Sequence, residues 1–171
     1  MDVDVGIGAV VLGEFDTFFR DTFPRVARAA ALVARDAGVG QELAQEAFFR
    51  VFERWGRMES LEHARRFAYR VAVNLARSHL RKHLRVTLAG LEPGHERSER
   101  SPDTEAWLTV REALGGLSGR QRAAIVLVDY VGMGGVEAAE VLGIEPGTLR
   151  AHLLRGRRAL RSKLDLEEAH G

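Results

Sequence analysis

Apolar residues recur every three or four positions along most of this chain, which is the spacing of one face of an α-helix. Residues 1–13 are the exception, because they are rich in Gly and Val without a helical period, and we predict a disordered tail there. Pro24 suits the first turn of a helix better than its interior. We therefore predict one helix over 14–23 and a second over 24–36. The second helix would bury Val26, Ala30 and Val33.

Two more helices are predicted before residue 90. The glycines of "AGVG" at 37–40 indicate a break, after which apolar residues return at helical spacing over 40–56. Ser60 is a suitable N-cap for a fourth helix over 61–84. The apolar positions of the third helix are Leu43, Ala47, Phe48, Val51, Phe52 and Trp55, and we assign Phe52 to the core.

A charged segment rich in Ser and Pro then interrupts the pattern, and we predict a flexible linker over 89–103. Helices resume at about 104–115 and 119–131. The fold class expected is all-α, with a four-helix N-terminal domain over 14–88 and a C-terminal domain over 104–164. Residues 165–171 would form a second tail. The linker has few apolar residues to fix the two domains, so we expect them to move relative to each other.

The stretch "GVEAAEVLGIEPGTLRAHLLRGRRALR" (135–161) predicts a helix-turn-helix. Gly143 follows the first helix, where a left-handed residue is needed, and Pro146 suits the start of the second. Gly156 lies inside that second helix, at a cost of about 1 kcal/mol relative to Ala. Its polar face carries arginines, which suits the major groove of DNA. A plain helical hairpin with a solvated basic face is the alternative interpretation.

Charge is distributed unevenly along the chain. The net charge is only +1, but residues 60–90 carry seven Arg or Lys residues against one acid, Glu62. Residues 144–163 carry six against one acid, Glu145. Two basic patches, one in each domain, favour a nucleic-acid backbone, since each neutralised phosphate releases counterions.

Other classes of function find little support. The chain has no cysteine, which excludes disulfides, thiol nucleophiles and cysteine-ligated metals. Its six histidines and 24 acids form no spaced catalytic or metal-binding group, so we expect no enzyme activity, no metal and no cofactor. The N-terminus lacks the basic residues of a secretory signal, and no apolar run approaches the ~20 residues of a membrane helix. A cytoplasmic protein without membrane contact is expected.

Three segments together resemble the extracytoplasmic-function (ECF) sigma factors of bacterial RNA polymerase, within the sigma-70 superfamily. They are "ELAQEAFFRVFERW" (42–55), "RRFAYRVAVNLARSHLRK" (65–82) and "LGGLSGRQRAAIVLVDYVGMGGVEAAEVLGIEPGTLRAHLLRGRRALR" (114–161). The resemblance implies a sigma-2-like domain followed by a sigma-4-like domain. It also implies binding to core RNA polymerase, through the clamp helices of its largest subunit and its flap region, and recognition of the minus-ten and minus-thirty-five promoter elements. An anti-sigma factor is a further implied partner, and the free chain is expected to be a monomer.

The resemblance also assigns roles to residues. The core-polymerase-binding residues would be Leu43, Gln45, Glu46, Phe48 and Arg50, with a place in the core as the alternative for Phe48. The residues on the proximal promoter element would be Arg57, Met58, Arg66, Arg70, Asn74, Arg77, Ser78 and Arg81. The residues on the upstream element would be Gly147, Thr148, Arg150, His152, Arg155 and Arg158. A stand-alone helix-turn-helix regulator is the alternative function, and it leaves residues 42–82 unexplained.

Overall fold

A computed structural model describes the backbone of residues 3–90 and 105–170, and the side chains of residues 13–90 and 105–163. Within those ranges the chain is α-helical and contains no strand, as the sequence predicts. The helices are α1 (Val3–Ala34), α2 (Ala37–Glu53), α3 (Leu61–Leu88), α4 (Glu105–Gly115), α5 (Gly119–Ile125), α6 (Gly135–Leu142) and α7 (Pro146–His170). A 3₁₀ turn, Trp55–Arg57, joins α2 to α3, and a π-helical turn, Val126–Tyr130, extends α5.

The N-terminal domain consists of α1, α2 and α3 packed against one another, so it has three α-helices where the sequence predicted four. The expected break at Pro24 is wrong, because Pro24 lies inside α1. A proline inside a helix costs about 3 kcal/mol, and the burial of both flanks of Pro24 offsets that cost. Those flanks contribute Phe18, Val26, Ala30 and Val33 to the core, the last three as predicted.

Gly40 belongs to α2 and does not break the helix, contrary to the prediction. Asp36 caps the start of α2, because its Oδ1 accepts a hydrogen bond from the Val39 N–H at 2.9 Å. A Cβ atom on Gly40 would lie 2.4 Å from the Cβ of Ala31. The glycine therefore allows α1 and α2 to approach more closely than any side chain would permit.

The predicted boundaries of α3 and of the two tails can also be compared with the structure. Ser60 caps α3 as expected, accepting a hydrogen bond from the His63 N–H at 3.1 Å. The backbone is helical from Val3 and as far as His170, so the tails predicted at 1–13 and 165–171 are largely helical. The linker predicted at 89–103 lies outside the described residues from residue 91 onward.

The C-terminal domain packs α4, α5 and α6 around the first half of α7. Ser118 and Gln121 form a reciprocal capping box at the start of α5. Gly143 ends α6 with φ 64°, the left-handed conformation predicted for the turn. Leu149 and Leu153 on α7 are buried against the rest of the domain.

The two domains contact each other directly, which the sequence analysis did not anticipate. Arg122 of α5 donates a hydrogen bond to the Val33 carbonyl of α1 at 3.2 Å, and the Asn74 amide of α3 donates to the Val141 carbonyl of α6 at 3.4 Å. Both acceptors lie in the last turn of their helix, where carbonyls have no intrahelical partner. We call this contact the interdomain interface; α1 and α3 form one side, and α5, α6 and the π-helical turn form the other.

Candidate polymerase and nucleic-acid interfaces

The outward face of α2 carries part of the predicted polymerase-binding set. Gln45 and Glu46 are exposed, while Leu43 and Arg50 are half-buried. Glu46 accepts a hydrogen bond from the Arg50 Nε at 2.8 Å, an i,i+4 ion pair on the surface. This pair keeps two of the predicted contact residues in one fixed arrangement on the open side of the helix.

The burial of two aromatic residues on α2 differs from the expected polymerase-facing set. Phe48 is only 2% exposed and is surrounded by Phe18, Phe19 and Phe23 of α1, so it takes the core position that was its alternative assignment. Phe52 is 46% exposed, so its assignment to the core is wrong. Both residues fit a helical stripe, and only the packing of α2 on α1 decides which of them points inward.

Phe49 is an exposed residue that the sequence analysis did not single out. Its side chain is 59% exposed, between the two exposed positions Glu46 and Phe52 on the helix. An aromatic residue of this size is unusual on a solvated surface beside charged neighbours and is typical of interface anchors. The adjacent "FF" in the sequence was the available signal, since consecutive side chains on a helix point in directions about 100° apart.

A groove of about 540 Å³ runs between α2 and α3, and we call it the α2–α3 groove. Its lining residues are Arg50, Glu53, Arg54, Phe67, Arg70, Val71, Asn74, Leu75 and Ser78. The Arg54 guanidinium carbon lies 5.2 Å from the centre of the Phe67 ring, within the range of a cation–π contact. Phe67 is half-buried, with part of its ring lining the groove. Arginines beside such a ring form a surface on which unpaired bases can stack while phosphates find positive charge.

The structure separates the proximal-promoter set into two groups. Arg70, Asn74 and Ser78 lie along the α2–α3 groove. Arg57 and Met58 belong instead to the connection between α2 and α3, where Arg57 is exposed and Met58 packs against the core. Arg66 is half-buried on the first turns of α3.

Asn74 and Arg77 lie at the interdomain interface. Besides its bond to Val141, Asn74 accepts a hydrogen bond from Arg77 at 3.2 Å. Burial lowers the pKa of Arg77, and the neighbouring charges of Arg81 and Arg120 lower it further. Arg81 is exposed and donates to the Ser78 hydroxyl at 3.0 Å. The C-terminal domain thus covers part of the face that the sequence assigned to DNA.

The second basic surface lies along α7. Gly147, Thr148, Arg150, Arg155 and Arg158 are exposed, and His152 is half-buried. A surface depression of about 360 Å³ is lined by Arg150, Leu153, Leu154, Arg157, Arg158 and Arg161. Exposed arginines in successive turns of a helix that follows a tight turn have the geometry of a helix in a major groove.

Leu154 stands among these arginines and was left out of the predicted set. Its side chain is 60% exposed, so it does not contribute to the core as Leu153 does. An exposed leucine on the basic face can make the apolar contact that a thymine methyl group offers in the major groove. Its position on the arginine face of the helical stripe was the available signal in the sequence.

Two side chains of α7, His152 and Arg157, have shifted pKa values that affect the charge of this helix. Burial lowers the pKa of His152, and Arg120, Arg155 and Arg77 lower it further, so this imidazole is held neutral more strongly than a free histidine. Arg157 makes two hydrogen bonds to the Asp129 carboxylate, at 2.7 and 3.0 Å, and this bond raises the pKa of Arg157. One basic residue of the helix is thereby partly neutralised.

Metal sites and membrane segments were also sought in the described part of the chain. No cluster of three or more His, Cys, Asp or Glu side chains there has the arrangement needed to hold a metal ion. None of the described helices combines the length and the apolar character needed to cross a membrane.

Comparison with known protein families accounts for both halves of this arrangement. Residues 18–86 match the family described as Sigma-70 region 2, and residues 107–160 match Sigma-70, region 4. The chain belongs to the ECF group of the sigma-70 family. The order of the two matches is the order of the two domains in the structure.

Curated relatives of this sigma factor include three from mycobacteria. The ECF RNA polymerase sigma factor SigM of Mycobacterium tuberculosis is 28% identical over 146 residues, covering 85% of this chain and 74% of the relative. The ECF RNA polymerase sigma factor SigE of Mycolicibacterium smegmatis is 29% identical, covering 88% and 61%. The probable RNA polymerase sigma-C factor of Mycobacterium bovis is 27% identical, covering 91% and 86%.

Two solved structures share the fold. The sigma factor RpoE of Bartonella quintana, crystallised with the anti-sigma factor NepR, superposes with a TM-score of 0.70 at 21% identity, over 89% of this chain and 97% of RpoE. CnrH, in complex with the cytosolic domain of CnrY, gives 0.67 at 22% identity, over 89% and 88%. The two family matches and the curated relatives show that this chain functions as an RNA polymerase sigma factor, a transcription initiation factor, and the stand-alone regulator is not favoured.

Proposed function

We propose a division of labour among three surfaces of this sigma factor. The outward face of α2 binds core RNA polymerase, the α2–α3 groove holds the unpaired strand of the proximal promoter element, and the basic face of α7 recognises the upstream element. The α2–α3 groove is the observation that carries the proposal, because it combines an arginine-stacked ring with Arg70 and Asn74 in one cavity.

The polymerase contact is proposed to involve Gln45, Glu46 and the exposed Phe49. These three side chains are accessible together, whereas Phe48 is buried and acts by fixing α2 on α1. An aromatic anchor flanked by polar residues is the usual composition of an energetically important contact between proteins. The partner surface on polymerase would be the clamp helices, with the flap region meeting the C-terminal domain.

The DNA contacts are proposed to differ in kind. In the α2–α3 groove, a base displaced from the duplex would stack near Phe67, since opening a duplex sacrifices stacking that the protein has to replace. On α7, Arg150 near the helix start would reach base edges, while Arg155 and Arg158 would bind phosphates. Strand opening and duplex recognition thus belong to separate domains.

Co-elution with bacterial core RNA polymerase on a sizing column tests the first surface. The double variant Gln45→Ala, Glu46→Ala should weaken co-elution. The matched control is Glu112→Ala, Glu140→Ala, which removes two exposed acids from the C-terminal domain. Equal co-elution of both variants would refute the assignment to α2. Absence of co-elution for the unmodified chain, with duplex DNA binding retained, would favour a stand-alone regulator.

Run-off transcription on genomic fragments then tests the DNA surfaces. Phe67→Ala should reduce initiation on a duplex promoter more than on a promoter with a pre-opened bubble. Arg150→Ala should reduce both. Arg28→Ala, an exposed arginine on α1, is the control and should affect neither. If Phe67→Ala behaves like the control, the α2–α3 groove does not hold the opened strand.

An anti-sigma partner and a monomeric free state complete the proposal. The support for such a partner is that RpoE, which shares the fold, was crystallised with the anti-sigma factor NepR. Light scattering on the purified chain tests the monomer, for which a mass near 18.9 kDa is expected. A mass of twice that value would require a dimer interface.

A further inference from the structure

A polar cavity of about 390 Å³ lies between α1, α3 and the start of α6, and we call it the interdomain pocket. Its polar lining consists of Asp21, Thr22 and Arg25 of α1, Arg65 and Tyr69 of α3, and Glu137 of α6. None of these six residues belongs to the polymerase-facing or promoter-facing sets described above. Small-molecule sites in proteins have volumes of about 300–1,000 Å³, so this cavity has room for a small metabolite.

Two hydroxyl groups that line the interdomain pocket lack a partner. Tyr69 is only 2% exposed and Thr22 only 8%, and within the described part of the chain neither hydroxyl makes a hydrogen bond. Thr17 and Thr109, by contrast, each donate to the carbonyl four residues earlier in their helix. Buried polar groups in proteins are nearly always hydrogen-bonded, so the missing partners have to come from what enters the pocket.

The charged side chains of the pocket are not paired with one another. Among the described residues, Asp21, Arg25 and Glu137 form no ion pair. Asp21 and Arg25 have the i,i+4 spacing of a helical ion pair and still do not make one. Arg65 is paired with Glu62, which does not line the pocket. Charges of both signs are therefore available to a molecule in the cavity.

The Tyr69 hydroxyl lies among these charges and acts as a donor at neutral pH. Burial raises its pKa, and the positive charges of Arg25 and Arg65 offset only part of that rise. Glu137 lies within electrostatic range of the same hydroxyl. The phenol and the guanidiniums donate hydrogen bonds to an anionic group, whereas the carboxylates of Glu137 and Asp21 accept them from a cationic one.

We propose that the interdomain pocket binds a small zwitterion of the α-amino acid class. Its carboxylate would bind to Arg25, Arg65 and the Tyr69 hydroxyl, and its ammonium group to Glu137 and Asp21. An α-amino acid carries both charged groups on one carbon, which matches opposite charges that surround one hydroxyl. A ligand with an anionic group alone would leave the two carboxylates without a donor. The site would allow this sigma factor to respond to a metabolite directly.

The chain has only two tyrosines, which makes the pocket observable by fluorine NMR. Biosynthetic incorporation of meta-fluorotyrosine gives two signals, and the variant Tyr130→Phe assigns them. Glycine, L-serine, L-glutamate, L-glutamine and L-lysine are then titrated separately into the full chain. At least one of them should shift the Tyr69 signal and saturate with a Kd of about 1 mM or tighter. Acetate and methylammonium carry one charge each and should bind at least about tenfold more weakly.

Two variants test the charged contacts. Arg25→Gln and Glu137→Gln should each weaken binding of the amino acid by about tenfold or more, because each removes one charged partner. The matched controls are Arg28→Gln and Glu140→Gln, which change exposed residues three positions further along the same helices, outside the pocket. The controls should bind as the parent does. Far-UV circular dichroism checks that all four variants keep the helical content of the parent.

Three results would overturn the proposal. The first is the absence of a saturable shift of the Tyr69 signal with all five amino acids. The second is equally tight binding of acetate, which would show a plain anion site. The third is unchanged binding in Arg25→Gln or Glu137→Gln. Binding is measured without polymerase or DNA, so none of these results depends on the proposed function.

Discussion

We expect replacement of Arg122 to lower the free energy of unfolding strongly, because its buried side chain bonds to several parts of the fold. Its side chain is 2% exposed and donates to four carbonyl oxygens: those of Leu117 at 2.8 Å, Leu114 at 2.9 Å, Val33 at 3.2 Å and Gly115 at 3.4 Å. Among the described residues no carboxylate lies within ion-pair distance of it. The guanidinium therefore closes the ends of α1 and α4, whose last carbonyls lack helical partners.

The expected loss of stability on replacing Arg122 is the balance between the hydrogen bonds lost and the cost of burying its charge. Hydrogen bonds from a charged donor contribute about 1.5–3 kcal/mol each, and a buried carbonyl left unpaired costs about 1–3 kcal/mol. Against this, burial of the charge is unfavourable, and burial together with the neighbouring charge of Arg35 lowers the pKa of Arg122 to about 10. Arg122 stays charged at neutral pH. Allowing for the offset and for two long bonds, we expect Arg122→Met to cost about 3–5 kcal/mol.

Urea denaturation of the full chain measures this cost. The matched control is Arg120→Met, two residues away on α5 and exposed, which should stay within about 0.5 kcal/mol of the parent. In a thermal scan a loss of about 3 kcal/mol corresponds to about 6–12 °C for a chain of this length. Arg122→Lys should fall between the two, because one ammonium cannot span four acceptors. Equal midpoints for Arg122→Met and Arg120→Met would refute the reasoning.

Three further predictions concern α7. Gly156→Ala should destabilise the chain by about 1–3 kcal/mol in urea denaturation, because the new Cβ would lie 3.0 Å from the Ile125 Cγ1. This crowding should outweigh the better helix propensity of Ala, and a gain in stability would contradict the prediction. His152 has a lowered pKa, so stability is complete above about pH 6.5 and falls as the pH drops through the lowered value. His152→Gln should remove that part of the pH dependence, and identical pH profiles would count against it. Asp129→Asn should change stability by less than about 1 kcal/mol, because the ion pair of Asp129 with Arg157 is half exposed. The same variant should bind duplex DNA more tightly in a fluorescence titration, because Arg157 is released from its carboxylate partner. Unchanged or weaker binding would argue against a contact between Arg157 and DNA.

The sequence predicted helices well where local signals determine them. The caps at Ser60 and Gly143 were both predictable, because a capping side chain and a left-handed glycine act within a few residues. Pro24 and Gly40 were misinterpreted for a common reason. Each disfavours a helix locally, and each is tolerated because α1 and α2 pack closely against each other, which is a tertiary effect that no local pattern contains.

The candidate site was predictable as a region and not as a list of residues. Helical spacing predicted α2 and the family resemblance assigned it to polymerase binding, but neither could distinguish Phe48 from Phe52, since a helix packed on two neighbours buries more than one stripe. The resemblance assigned Asn74 to promoter DNA, and nothing in the sequence around it indicates that the C-terminal domain packs against it. Long-range contacts between domains depend on surfaces that meet only after both have folded.

The arginines show most clearly why counting charges along a sequence does not locate a binding surface. Arg122, Arg77 and Arg150 each count as one positive charge in the sequence, yet the first is buried on carbonyls, the second lies at the interdomain interface and the third is exposed on α7. Two positively charged domains would repel each other if their charged faces met without acceptors. Here the direct bonds across the interface end on backbone carbonyls in the last turns of α1 and α6, the negative ends of two helix dipoles. The helix ends thus add negative charge at this interface beside the Glu137 carboxylate of α6, which lies within electrostatic range of Arg65 on α3.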